Sequence, residues 1–143
     1  MGAVTDLNYY MENRLIKKLD LIIKRCEQKQ PKKDACITME GQEGEGKTNS
    51  SLACAYYIKN KTGRDIHLFF RLKPLIDFAK TTERKIIIWD EPALDSLNAE
   101  HFKEINRDLT KLLMTVRKKR HIFFWCFTKF YKFNEYIVVC NLP

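Results

Sequence analysis

Gly41-Gln42-Glu43-Gly44-Glu45-Gly46-Lys47-Thr48 is the stretch on which the reading of this chain turns. It follows a short apolar run, Ala35-Cys36-Ile37-Thr38-Met39, of the length of a buried strand. After it, Leu52, Ala53, Ala55, Tyr56 and Ile58 predict a helix with a small-residue side, stopped at Gly63. The eight residues fit G-x-x-x-x-G-K-[ST] at every position, in the strand-before, helix-after context that the pattern requires. Chance produces such a match in about one of a few hundred chains of this length.

The chemistry follows from the residue types. A triphosphate is held by backbone N–H groups aimed inward, and glycine lets the chain curl that tightly without Cβ clashes. A helix N-terminus adds unpaired N–H groups and a positive dipole end. Residues Gly41, Gln42, Glu43, Gly44, Glu45, Gly46, Lys47, Thr48 and Asn49 are therefore the expected nucleotide-binding loop. Lys47 would reach the β- and γ-phosphates, and Thr48 would hold Mg²⁺ through its hydroxyl.

A second stretch points the same way. Ile86-Ile87-Ile88-Trp89-Asp90-Glu91 is an apolar strand that ends in two acids. At the end of a buried strand, Asp90 suits Mg²⁺ and Glu91 suits a base that polarises the attacking water. A single strand often turns polar where it meets solvent, but following a matched phosphate loop the pair is more specific. Two adjacent acids, one for metal and one for proton transfer, imply ATP hydrolysis rather than binding alone.

Outward from these motifs, helices and strands alternate. Met11, Leu15, Leu19, Ile22 and Cys26 share a helical face and predict a helix over residues 6–28, closed by Pro31 and charged residues 32–34. Strands are expected at 66–70, 85–90 and 121–127, with another at 136–140. A short helix at 73–80 has Pro74 in its first turn, and Phe102, Ile105, Leu109, Leu112, Leu113 and Val116 predict a helix within 97–117. The expectation is a three-layer α/β fold with a mostly parallel sheet of about five strands. Its division is an N-terminal helix and connector at 1–34 and a nucleotide-binding core at 35–143.

The 143 residues suffice for one core, and 45% hydrophobic against 31% charged residues excludes a disordered chain. No apolar run approaches the ~18 residues of a membrane span, and residues 1–15 lack an apolar signal core, so the expectation is a cytoplasmic protein without membrane association. Five cysteines, Cys26, Cys36, Cys54, Cys126 and Cys140, without a C-x-x-C pair read as free thiols, mostly buried. His67, His101 and His121 show no metal-ligand spacing. Lys plus Arg number 26 and Asp plus Glu 18, a net charge of +8 that favours a polyanionic partner, nucleic acid first.

The segment Arg117-Lys118-Lys119-Arg120-His121 lies beside aromatic Phe123, Phe124, Trp125 and Phe127. The rings read as core. The cations have three readings: a solvated helix C-terminus, a finger in a neighbouring subunit's site, or nucleic-acid contact. Lys129 and Lys132, with Lys118 and Lys119, are the nucleic-acid candidates.

Residues 41–48 resemble a Walker A motif, and residues 86–91 resemble a Walker B motif carrying the adjacent glutamate. With a strand between them, they look like the RecA/AAA-type, additional-strand and catalytic-glutamate division of P-loop NTPases. The helix, basic run and apolar strand over 109–128 are similar to the FtsK–HerA group of DNA-pumping ATPases, as found in archaeal viruses and mobile elements. That resemblance implies ATP and Mg²⁺ as cofactors, a homo-oligomer acting on DNA, and host cytoplasm as the setting of a viral protein. It implies Glu91 and Lys47 in catalysis, an arginine finger at Arg117 or Arg120, and a sensor at Thr128, where the group usually carries glutamine. The rival enzyme is a nucleotide kinase, which needs a lid of arginines, and only Arg64, Arg71, Arg84 and the cluster at Arg117 are at hand. A GTPase is disfavoured because Phe127-Thr128-Lys129-Phe130 lacks the aspartate of N-K-x-D. A non-hydrolysing nucleotide-binding module is the remaining alternative.

Overall fold

The computed structural model describes residues 2–4, 10–40, 46–90 and 98–127. Strand β3 (Ala35–Glu40) precedes residues 41–45, and helix α2 (Lys47–Thr62) follows them. Then follow β4 (Ile66–Phe69), α3 (Leu72–Thr81), β5 (Ile86–Trp89), α4 (Ala99–Thr115) and β6 (Ile122–Phe127). Ahead of them stand β1 (Gly2–Val4), β2 (Tyr10–Glu12) and α1 (Asn13–Glu27).

The four core strands form one parallel sheet in the order β3-β6-β5-β4. The chain crosses from one edge, β3, to the other, β4, by way of α2, then returns through α3 and α4. Right-handed crossovers in opposite directions put the connecting helices on opposite faces. The buried residues divide that way. Ile87, Trp89, Phe123 and Trp125 pack with Leu72, Leu75, Leu109 and Leu112 of α3 and α4. Ile86, Ile88, Ile122 and Phe124 face Cys54, Ala55 and Ile58 of α2. The alternation is the period of two of a strand covered on both faces. The three-layer α/β architecture expected from the sequence is thus present, with four described parallel strands. The expected strand at 136–140 lies outside the described residues.

Helix α2 lies close to the sheet because its inward positions are small, Ser51, Cys54 and Ala55, all buried. It ends at Gly63, whose φ of 74° is left-handed and whose N–H donates to the Lys59 carbonyl at 2.8 Å. Helix α4 starts at an N-cap, Asn98, whose side chain accepts from the His101 N–H at 2.9 Å.

The N-terminus differs from expectation. The predicted helix from residue 6 begins only at Asn13, and residues 10–12 are a strand paired antiparallel with residues 2–4. Met11 falls on the helical spacing of Leu15 and Leu19, yet it reaches the core from extended backbone, 4% exposed. Helix α1 shares the apolar cluster of α2 through Leu19, Ile22 and Cys26. Arg64 ties it down: its Nε donates to Glu27 at 2.7 Å, and its Nη1 donates to the Arg120 carbonyl. Arg84 holds the other Glu27 oxygen at 2.7 Å.

Candidate nucleotide site

The candidate site lies at the carboxyl edge of the sheet, where β3 and β5 end. Gly46 precedes α2 with φ of 79°, a left-handed conformation that glycine adopts without strain. The helix's backbone ladder begins with the Ser50 N–H donating to the Gly46 carbonyl at 2.9 Å. The amides of Thr48 and Asn49 therefore have no helical carbonyl to meet, and they sit at the positive end of the dipole. Gly46, Lys47 and Thr48 are half-buried, and Asn49 is exposed.

Asp90 stands at the end of β5, its N–H bonded to the Phe69 carbonyl at 3.0 Å. Its carboxylate accepts a hydrogen bond from the Thr48 hydroxyl. The two residues expected to hold Mg²⁺ are thereby brought together from separate elements. Hydroxyl and carboxylate are hard oxygen donors that suit Mg²⁺, which keeps waters and phosphate oxygens on its remaining positions. Among the described residues no group of three or more His, Cys, Asp or Glu side chains offers a metal cage.

Strand β6 runs between β3 and β5, so the Asp90 strand stands one strand away from the loop strand. Near its end, buried Cys126 contacts the Ser51 hydroxyl, Sγ to Oγ 3.2 Å. Burial pushes the Cys126 thiol up; Ser51 and the Lys47 charge lower it, and the Asp90 charge raises it. Cys126 lies against the first turn of α2, a position sequence reading missed. Its only signal was an apolar strand ending beside the expected sensor.

Other expected site residues stand elsewhere. The turn carrying Arg117, Lys118, Lys119 and Arg120 precedes β6, whose first residue pairs with Ala35 at the start of β3. That is the amino-terminal edge, about 20 Å from the loop at ~3.3 Å per strand residue. Within one subunit, Arg117 and Arg120 are not brought to Lys47, Thr48 and Asp90. Gly41, Gln42, Glu43, Gly44, Glu45, Glu91, Thr128, Lys129 and Lys132 lie outside the described residues.

No protein-family model matches the chain, and no curated protein matches it significantly. Solved structures do. RuvB of Thermotoga maritima, a Holliday junction branch migration motor, superposes with a TM-score of 0.56 at 14% identity, over 97% of this chain and 46% of that one. A variant of the same RuvB gives 0.57 at 14% identity, over 99% and 47%. This chain therefore spans under half the length of those it resembles. No described helix is long and apolar enough to cross a membrane. At such identity the likeness speaks for the fold alone, and the fold is that of a P-loop NTPase.

Proposed function

We propose that the protein binds ATP with Mg²⁺ at residues 41–49 and hydrolyses it, as an oligomeric motor acting on DNA. The observation that carries this reading is the Thr48–Asp90 pairing at the N-terminus of α2. In this reading Lys47 meets the terminal phosphates with its charge, while the Thr48 and Asn49 amides bind phosphate oxygens. Thr48 and Asp90 hold the ion, which when bound would neutralise phosphate charge and fix the terminal group's orientation. Glu91, next in the chain, takes the proton of the attacking water.

An arginine from residues 117–120 would meet a γ-phosphate only across a subunit interface, which is why the reading includes assembly. The resemblance to DNA-pumping ATPases of the FtsK–HerA group, and the likeness in fold to RuvB, a Holliday junction branch migration motor, support DNA as the substrate. A cytoplasmic setting, and a viral or mobile-element role in packaging, transfer or replication, belong to the same reading.

Phosphate release from MgATP, measured against protein concentration with single- and double-stranded DNA and with RNA, tests it. Release should rise more steeply than linearly with protein and increase with DNA. Mixing Arg117→Ala/Arg120→Ala protein with Glu91→Gln protein should restore activity that neither shows alone. Nucleotide binding without release under any condition would favour a non-hydrolysing module. Phosphate appearing on an added nucleoside monophosphate would favour a kinase.

A further inference from the structure

The positive charge of this chain is not spread over its surface. Three turns, at residues 28–34, 82–85 and 116–121, contain nine Lys or Arg against two Asp or Glu, a net +7 of the chain's +8. A fourth turn on the same edge, residues 63–65, contributes one charge of each sign. Nothing in the sequence order brings the three together; the parallel sheet does. The Arg84 N–H donates to the Lys119 carbonyl, the Ile122 N–H to the Lys85 carbonyl, and the Ala35 N–H to the His121 carbonyl, each at 3.0 Å. The His121 N–H donates to the Asp34 carboxylate at 3.1 Å. The three turns are thus one surface, the amino-terminal edge of the sheet.

That surface is shaped as well as charged. Lys32, Arg117, Lys118 and Lys119 line a cleft of about 420 Å³, with Glu83 as its acid and Met114, 60% exposed, as an apolar wall. Glu27 pairs with both Arg64 and Arg84, and Asp65 with Lys85, but among the described residues no ion pair holds Lys32, Lys33, Arg117, Lys118 or Lys119. Arg84 and Arg120 have φ of 53° and 58°, left-handed conformations that cost a side-chain-bearing residue energy. Residues 117–120 follow the C-terminus of α4, and Lys29, Lys32 and Lys33 follow that of α1; both groups lie beyond the last helical turn, within which the dipole's effect fades.

We infer that this edge is a binding surface for the phosphate backbone of nucleic acid, on the side of the sheet opposite the nucleotide site. Lysines from the 28–34 and 116–121 turns flank the cleft and pair with successive phosphates, and Met114 offers an apolar surface to a sugar or base. Backbone contacts of this kind give affinity without sequence preference, through release of condensed counterions. The inference deepens the reading of a DNA-acting ATPase and rests on it for the choice of polyanion. It adds Lys32 and Lys33 to Lys118 and Lys119 and requires no arginine in catalysis.

Fluorescence anisotropy of labelled DNA duplex, single-stranded DNA and RNA, without nucleotide and over a salt series, tests the surface. Wild-type protein should bind with a log–log salt slope of about −3 to −4, as expected for four or five phosphates. Lys32→Gln/Lys33→Gln/Lys118→Gln/Lys119→Gln should weaken binding about 100-fold at low salt and flatten the slope by about 3 to 4. The four corresponding Arg substitutions should retain it. Lys17→Gln/Lys18→Gln/Lys73→Gln/Lys103→Gln removes equal charge from exposed positions elsewhere and should stay within about threefold of wild type. Equal loss in both Gln sets would overturn the inference by reducing it to net charge. Absence of nucleic-acid binding, or binding to phosphatidylserine vesicles in its place, would overturn it too. Lys47→Ala should leave this binding intact, so a failure of the ATPase reading does not read as a failure of the surface.

Discussion

The Thr48 hydroxyl donates to the Asp90 carboxylate across 42 positions of the chain. That bond joins the first turn of α2 to the end of β5, and it gathers two hard oxygen donors where the helix dipole is positive. Asp90→Asn keeps the size and can still accept from Thr48, but it loses the charge that draws a divalent ion. ATP affinity measured with Mg²⁺ and with EDTA should then differ little in the variant. In the wild type, Mg²⁺ should strengthen binding about tenfold or more, the scale of one charge-assisted contact. A variant with full Mg²⁺ dependence would remove Asp90 from the metal site.

Glu91→Gln removes a proton acceptor and leaves the shape. Turnover should fall about 10²- to 10⁴-fold with ATP affinity nearly unchanged. Steady-state phosphate release paired with equilibrium titration separates the two effects. Equal loss of both would make Glu91 structural.

Arg64 is 2% exposed and makes hydrogen bonds to Glu27, to the Arg120 carbonyl and to the Cys26 carbonyl at 3.3 Å. Arg64→Ala leaves those acceptors without their donor beneath α1, and removing one partner of a buried pair costs about 3–5 kcal/mol. Glu27 retains Arg84 and is about a third exposed, so the lower end of that range is expected. Urea unfolding measures it; a change under about 0.5 kcal/mol would mean that α1 is held by its apolar face alone.

These examples mark how far the sequence was legible. The strand at 35–40, the helix after Gly46, the strand ending at Asp90 and the helix through Leu109 and Leu112 were readable because each pattern is local. Arg64 was not: it reads as a surface charge, and its partners Glu27 and Arg120 stand 37 and 56 positions away. Ser51 and Cys126, 75 apart, meet only because β6 inserts between β3 and β5. Met11 misled because extended and helical backbone can both deliver one side chain to the same core. The clustering of +7 on one edge was invisible for the same reason, since a strand order is not written in any single segment.

Asp34 gives stability a pH dependence. Burial raises its carboxyl to about 7 against backbone hydrogen bonds from His121 and Arg120 that lower it. The folded-state value lies above the unfolded one, so its stabilising contribution is present below about pH 4 and lost as pH rises through about 7. Asp34→Asn keeps an acceptor without the charge, so it should stabilise by about 1–2 kcal/mol at pH 8 and by little at pH 4. His121 acts oppositely. Its Nδ1 accepts from the Lys85 N–H at 3.2 Å and its Nε2 faces the Ala79 carbonyl at 2.9 Å, which fits the neutral ring. Burial lowers its proton affinity, so what it contributes is present above the ordinary imidazole range and lost as pH falls below it. Urea melts of both proteins at pH 4 and pH 8 decide the matter, and an Asn benefit equal at both would contradict it.

The central claim is that residues 41–49, with Thr48 and Asp90, form a MgATP site. Calorimetric titration of wild type and Lys47→Ala with ATP in Mg²⁺ tests it most directly. The account predicts saturable one-site binding by the wild type and affinity weaker by about 10- to 100-fold, or beyond detection, once the charge at the terminal phosphates is gone. Equal affinities, with both proteins folded by circular dichroism, would contradict it.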